Sequence, residues 1–211
     1  VALTGNIKGD LKDYAQTLIE YGVGNETIDY VTLGLTTLVE FLILFALEIA
    51  NINKNIQTNE YNTLLEQIGQ CSVESEKIFE KSVEFTKREY ENLFKMDRAF
   101  IVTDGPNMAT AREGSLKIGE TLKIPTLYYE NEEYVHGPNM QLDPEYTVFF
   151  IDTNTKNNRM QDVYQATKLI TEHTYMITNK DIKEDEKVIK VESNIISELT
   201  PLFLVVPFQY I

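Results

Sequence analysis

Cysteine is nearly absent from this chain of 211 residues. The single Cys71 excludes an internal disulfide and any thiolate metal cluster, as suits a reducing compartment. Basic residues are also scarce: 19 Lys and Arg face 33 Asp and Glu, giving a net charge of -14. Such a surface repels phosphate backbones and anionic bilayers, so neither nucleic acid nor membrane is expected as a partner. A small anion can still bind where local backbone amides outweigh a distant net charge. The longest apolar run, "LGLTTLVEFLILFALEIA", is interrupted by Glu40 and Glu48. It falls short of the ~20 uninterrupted residues that a bilayer requires and reads as a buried helix. No basic segment leading into an apolar run opens the chain, so no signal peptide is expected and a cytoplasmic location is. The Gly-Lys-Ser/Thr of a phosphate-binding P-loop and the GxGxxG fingerprint are both missing.

The chain is 43% hydrophobic and 25% charged, a composition that supports a sizeable core. Short apolar runs alternate with helical patterns, the signature of a parallel sheet with crossover helices. Strands are expected over Val1 to Leu3, Thr17 to Tyr21, Ala99 to Thr103, Pro125 to Tyr129, Thr147 to Asp152, Thr174 to Thr178 and Val188 to Val191. Helices fit "TIDYVTLGLTTLVEFLILFALEIA", "EYNTLLEQIGQ", "SVESEKIFEKSVEFTKREYENLF", "MATAREGSLKIGETLK" and "RMQDVYQATKLITEH". The charged stretch 51–94 has helical spacing but no strand, and reads as a linker between two α/β units at 1–50 and 95–211. The opening "VALTGN" resembles the end of a strand, and "LVVPFQYI" stops inside an apolar segment. The expectation is therefore a piece of a longer protein.

One segment carries candidate chemistry. In "AREGSLKIGETLK", Glu113, Lys117 and Glu120 fall within about 60° of one another on an ideal helix, opposite Ala111, Ile118 and Leu122. Spacing alone favours an ordinary solvated stripe, in which Glu113 and Lys117 form an i,i+4 pair worth a few tenths of a kcal/mol. His136, one of only two histidines, sits in a His-Gly-Pro turn that by itself reads as surface. Ahead of the helix, "AFIVTDGPNMATA" runs strand, glycine loop, helix start. That order presents free amides where α/β sheets bind ligands, which makes Gly105 and Asn107 candidate substrate contacts. A turn that merely feeds the helix accounts for it equally well.

The block Glu113-Gly-Ser-Leu-Lys117-x-x-Glu120, an Ile-Pro strand, an acidic helix and His136-Gly137-Pro138 resembles the second sugar-isomerase (SIS) domain of tandem-SIS proteins. The isomerase half of glucosamine-6-phosphate synthase is one example. The resemblance extends through "YTVFFIDTN" and "ELTPLFLVVPFQ". Before the linker, a Gly-x-Glu turn leading into a Thr-rich apolar helix is similar to the latter part of a first SIS domain.

This resemblance implies an α/β, three-layer, flavodoxin-like fold with a parallel sheet flanked by helices. It implies an aldose-ketose isomerase of a hexose 6-phosphate, possibly an amino sugar, working through an enediolate without cofactor or metal. Glu120 would carry the proton between C1 and C2, Lys117 would face the oxygens, Glu113 would position Lys117, and His136 would open the ring. His136 would reach the neighbouring subunit's site, which implies a homodimer with shared active sites. The family's phosphate-binding serines and threonines would lie ahead of Val1. Thr103-Asp104-Gly105 stands where the family has Gly-Arg-Gly, and Gly119 replaces a frequent lysine. Both departures point to a phosphosugar other than that of glucosamine-6-phosphate synthase. A deglycase of fructosamine 6-phosphates and a non-catalytic phosphosugar-binding regulator are the alternatives.

Overall fold

The computed structural model describes residues 1–27, 30–153, 157–182 and 185–211. They divide into two compact units, Val1–Ile68 and Gly69–Ile211.

In the first unit, β1 (Ala2–Thr4) and β2 (Leu18–Glu20) pair in parallel, followed by α1 (Leu33–Ile52) and the start of α2 (Thr58–Arg88). The expected helix over 27–50 begins at Leu33, and residues 28 and 29 lie outside the described residues. Its start is set by Glu26, whose carboxylate accepts the backbone N–H groups of Thr32 (2.5 Å), Leu33 (2.6 Å) and Gly34 (3.1 Å). Three of the four amides that a helix leaves orphaned are thereby satisfied by one side chain six to eight residues upstream. The expectation of a buried α1 fails. Only Gly34 and Leu47 are buried, while Leu33, Leu42, Phe45, Ile49 and Ile52 are exposed. By length and composition alone, α1 is also long and apolar enough to cross a membrane, Glu40 and Glu48 notwithstanding.

The second unit contains a five-stranded, all-parallel sheet in the order β4-β3-β5-β6-β7. Its strands are β3 (Ala99–Thr103), β4 (Thr126–Glu130), β5 (Thr147–Asp152), β6 (Thr174–Thr178) and β7 (Val188–Lys190). In β3, β5 and β6 every residue is buried, which is why their sequences read as apolar or threonine runs, broken only by Asp152 at the end of β5. The helices are the remainder of α2, α3 (Tyr90–Phe94), α4 (Met108–Leu122), α5 (Asn131–Val135), α6 (Arg159–Thr167), α7 (Pro201–Leu204) and α8 (Val206–Tyr210).

Two expected helices, at 60–70 and 72–94, are one continuous α2 that breaks at Glu89 and resumes as α3. Glu89 is buried at the break, where its carboxylate takes Lys187 Nζ (2.6 Å), Asn92 Nδ2 (2.9 Å) and Tyr175 Oη (3.1 Å). The helix expected to reach residue 173 stops at Thr167, and the Thr171 hydroxyl instead donates to the carbonyls of Pro144 and Tyr146.

The three layers follow from strand alternation. Phe100 and Phe150 point to one face and pack edge-to-face on Tyr134 of α5, and Phe150 also meets Tyr164 of α6. Ile101 and Phe149 point to the other face. There Phe149 meets Phe208 of α8 and stacks on Tyr175, which in turn packs against Phe85 of α2. Because β3 has β4 on one side and β5 on the other, right-handed crossovers put α4 on the second face and α5 on the first. The result is the expected α/β, flavodoxin-like three-layer arrangement, with the strand order reversing at β3.

Candidate active site

Helix α4 starts from a glycine loop. Gly105 takes φ +56°, a left-handed conformation that disfavours side chains, and lets the chain turn from β3 through the 3-10 turn Gly105–Asn107. Asn107 is fully buried, and its amide is engaged at both ends. Nδ2 donates to Thr153 Oγ1 (2.8 Å) and Thr200 Oγ1 (2.9 Å), and Oδ1 accepts from Thr110 Oγ1 (3.0 Å). Asn107 therefore ties the ends of β3 and β5 to the segment entering α7. Gly105 and Asn107 precede the charged residues of α4, with Glu113 roughly 9 Å beyond Asn107 along the helix. At about 1.5 Å rise per residue, Asn107 and Glu120 are separated by roughly 20 Å along the helix.

The three charged residues of α4 do come together, though not on a solvated stripe. The Lys117 side chain is 5% exposed, with Nζ 3.0 Å from Glu120 Oε2 and 3.6 Å from Glu113 Oε1. Glu113 is 12% exposed and Glu120 35%. An ordinary surface pair keeps its ammonium in water, whereas here the lysine is the most buried member and the carboxylates bracket it. Burial pushes the Glu113 carboxyl above its ordinary pKa; the Lys117 charge works in the opposite direction, and the nearby Glu120 charge adds to the rise. The cluster thus combines a sequestered cation, a secluded carboxylate and a second carboxylate open to solvent.

Close packing holds α4 in position. A side chain on Gly114 would have its Cβ 2.7 Å from Phe208 Cγ and 3.0 Å from Ile101 Cδ1, so glycine is what lets α8 and β3 approach one turn from Lys117. Neither this contact nor the burial of Lys117 is visible in a helical wheel.

His136 lies elsewhere. It caps the C-terminus of α5, with its N–H shared between the carbonyls of Glu132 (3.2 Å) and Glu133 (3.1 Å), and its residue is exposed. The short α5 is in turn held at its start by Glu130, whose carboxylate accepts the N–H groups of Glu132 and Glu133. Among the described residues, no hydrogen bond or ion pair joins His136 to Glu113, Lys117 or Glu120. The sheet stands between α4 and α5.

Residues 92–193 match the SIS domain family. The matched stretch takes in all five strands of the larger sheet together with α4 and α5. No curated protein matches the chain significantly by sequence. Among solved structures, a Clostridium difficile 630 protein provisionally named a phosphosugar isomerase superposes with a TM-score of 0.88 at 24% identity over 99% of this chain and 59% of its own. A provisionally named sugar-binding protein of Salmonella typhimurium LT2 gives 0.81 at 18% identity, over 97% of this chain and 61% of its own. The C-terminal domain of the Francisella tularensis glucosamine-fructose-6-phosphate aminotransferase also gives 0.81, at 17% identity over 94% and 57%. The chain thus spans about three fifths of these proteins. At such identities the likeness establishes a shared fold.

Proposed function

We propose that the protein is a phosphosugar isomerase that interconverts an aldose and a ketose 6-phosphate through an enediolate. The observation that carries this reading is the burial of Lys117 between Glu113 and Glu120 on one helix of a SIS domain. In the proposed reaction Glu120 takes the proton from the carbon beside the carbonyl and returns it to the neighbouring carbon. The C–H electron pair forms the carbon-carbon double bond and the carbonyl pair moves onto oxygen; in the return step the proton of the adjacent hydroxyl passes to that oxygen, and the carbonyl re-forms one carbon along. Lys117 meets the negative oxygen, an interaction that strengthens as charge develops and so lowers the barrier. His136 serves ring opening as acid and base.

Since His136 lies across the sheet from α4, we assign it to the site of a second copy of the chain, in a homodimer with shared sites. Residues 1–50 are proposed to belong to a preceding SIS domain, in keeping with the Glu26 turn that starts the apolar α1.

The test uses the protein with a panel of hexose 6-phosphates and fructosamine 6-phosphates in deuterated water. Wild type should incorporate deuterium beside the carbonyl, and Glu120→Gln, which cannot accept the proton, should lose it by about 10²-fold or more. Mixed and reassembled Glu120→Gln and His136→Ala dimers should recover about a quarter of wild-type activity, since half the dimers are mixed and each has one intact site. Unchanged exchange in Glu120→Gln would refute the isomerase chemistry. A silent mixture of verified heterodimers would refute the shared site, and amine release from a fructosamine would redirect the assignment to a deglycase.

A further inference from the structure

The two edges of the five-stranded sheet are finished differently. At β7, Met176 N donates to the Lys187 carbonyl, so odd-numbered residues face β6 and even-numbered ones face outward. Helix α2 covers that outward side. The Glu186 carbonyl accepts from Arg88 Nη2, and the Lys190 carbonyl accepts from Lys81 Nζ (2.7 Å). Long cations laid along an edge in this way keep other strands off it.

No such cover lies on β4. Ala99 N donates to the Pro125 carbonyl, which turns residues 125, 127 and 129 toward β3 and leaves the peptide groups of Thr126 and Tyr128 facing outward. Among the described residues, neither the N–H nor the carbonyl of Tyr128 has a hydrogen-bond partner. The side chains of Leu127 and Tyr128 are exposed, and α4, which packs against this strand, leaves Leu116 and Leu122 exposed as well. An apolar edge with open peptide groups is a template for a further strand.

The charge pattern of the edge says which strand fits. In "LKIPTLYYENEE" a cation precedes the strand and carboxylates follow it. Lys123 and Glu133 are exposed, and among the described residues neither belongs to an ion pair, whereas Glu132 is held by Arg159. If a second copy is laid antiparallel about a two-fold axis at Tyr128, the segment meets its own complement. Tyr128 exchanges both peptide hydrogen bonds with its counterpart, Thr126 stands opposite Glu130, and Lys123 comes to the end that carries Glu133.

We infer that β4 is a self-pairing edge, at which two copies of the chain join antiparallel about Tyr128 into one continuous sheet. The inference stands apart from the isomerase reading. A two-fold axis normal to the sheet keeps α4 and α5 on their own faces, so this pairing is a different contact from the shared site proposed above.

Sedimentation of the full chain over a concentration series, joined to cysteine cross-linking, tests the pairing. Tyr128→Lys sets like charges against each other at the axis and should halve the mass of the assembly. The mass falls from four chains to two if the shared-site dimer is also present, and from two to one if it is not. Unchanged circular dichroism and melting show that the variant is folded. Tyr128→Cys, with its Cα about 5.5 Å from its counterpart, should form an intermolecular disulfide on mild oxidation. Leu127→Cys should not, because its counterpart lies diagonally about 7–8 Å away, past the reach of a disulfide. Cys71 is buried, so wild type serves as the uncross-linked control. Lys123→Glu should weaken association, and Lys123→Glu combined with Glu133→Lys should restore it. The pairing is overturned by a wild type that stays monomeric at every concentration, by an unchanged mass in folded Tyr128→Lys, or by equal cross-linking at 127 and 128. Should Tyr128→Lys fail to fold, the two cysteine variants decide the question alone.

Discussion

Replacing Gly114 with alanine sets two effects of known size against each other. Alanine in a helix interior is favoured over glycine by about 1 kcal/mol, so propensity alone predicts a more stable protein. The packing predicts the reverse. The new methyl would lie 2.7 Å from Phe208 Cγ, 3.0 Å from Ile101 Cδ1 and 3.1 Å from Phe208 Cβ, against an ordinary carbon-carbon contact of about 3.5–4.0 Å. Neither neighbour can yield cheaply. Phe208 is buried edge-on against Phe149, and Ile101 is fully buried in β3. Overpacking of this kind costs about 1–3 kcal/mol, so the net expectation is a loss of up to about 2 kcal/mol. For a chain of this length that corresponds to a fall in Tm of a few degrees, at about 2–4 °C per kcal/mol. Because α4 must lift to make room, Lys117 one turn away should move with it, and activity should fall more than stability. Urea denaturation of Gly114→Ala, of Phe208→Leu and of the double variant measures the effect. Phe208→Leu should be less harmful in the alanine background than in wild type. A stabilised Gly114→Ala, or additive energies in the cycle, would refute the packing argument and leave this glycine without a structural reason.

Glu89→Gln should cost about 1–3 kcal/mol at neutral pH, where the carboxylate serves Lys187, Asn92 and Tyr175. Although burial acts to raise the Glu89 pKa, the bonds from Lys187 and Asn92 outweigh it and the net shift is downward. Its stabilisation is therefore complete above the ordinary carboxylate value of about 4.3 and is lost as pH falls through the lower folded value. The gap between wild type and variant in thermal melts should narrow below about pH 4, and a constant gap would contradict the linkage. Glu26→Ala should free the amides of Thr32, Leu33 and Gly34 and cost about 0.5–2 kcal/mol. Hydrogen exchange should accelerate at those three amides first, and unchanged protection there would show that the carboxylate is not what starts α1.

Legibility in the sequence tracked how local the deciding physics is. Strands β3, β5 and β6 match their expected bounds because a strand covered on both faces needs an unbroken run, and a run is visible in one dimension. Helix α1 shows the limit of that logic. Its apolar residues mark a helix that seeks cover, but the sequence does not say how much surface is there to provide it. The same holds within α4, where the wheel grouped Glu113, Lys117 and Glu120 correctly yet could not distinguish a solvated stripe from a buried lysine. Long-range packing of this kind is out of the wheel's sight, as Phe208 shows by approaching α4 over Gly114 from more than ninety positions away. The surroundings of Asn107 are hidden for a related reason. An amide in a loop after a strand has the composition of a ligand contact, but Thr153 and Thr200, its actual partners, arrive from other parts of the chain.

The connectivity of the sheet bears directly on how many chains one active site needs. A helix that follows a parallel strand runs back antiparallel to it, so α4 leaves the carboxyl end of β3 at Gly105 and carries Glu113, Lys117 and Glu120 progressively toward the opposite edge. Helix α5 leaves the carboxyl end of β4 and ends after five residues, which keeps His136 near the edge from which it departed. The two groups are thus divided by the sheet and also displaced along it. Rotation of a side chain cannot remove either separation, since β3 is buried throughout and its register with β4 and β5 is continuous. A local hinge at Gly137 would not help, because it follows His136. The proposed homodimer would meet both separations at once, since each chain would offer α4 to its own site and α5 to its partner's.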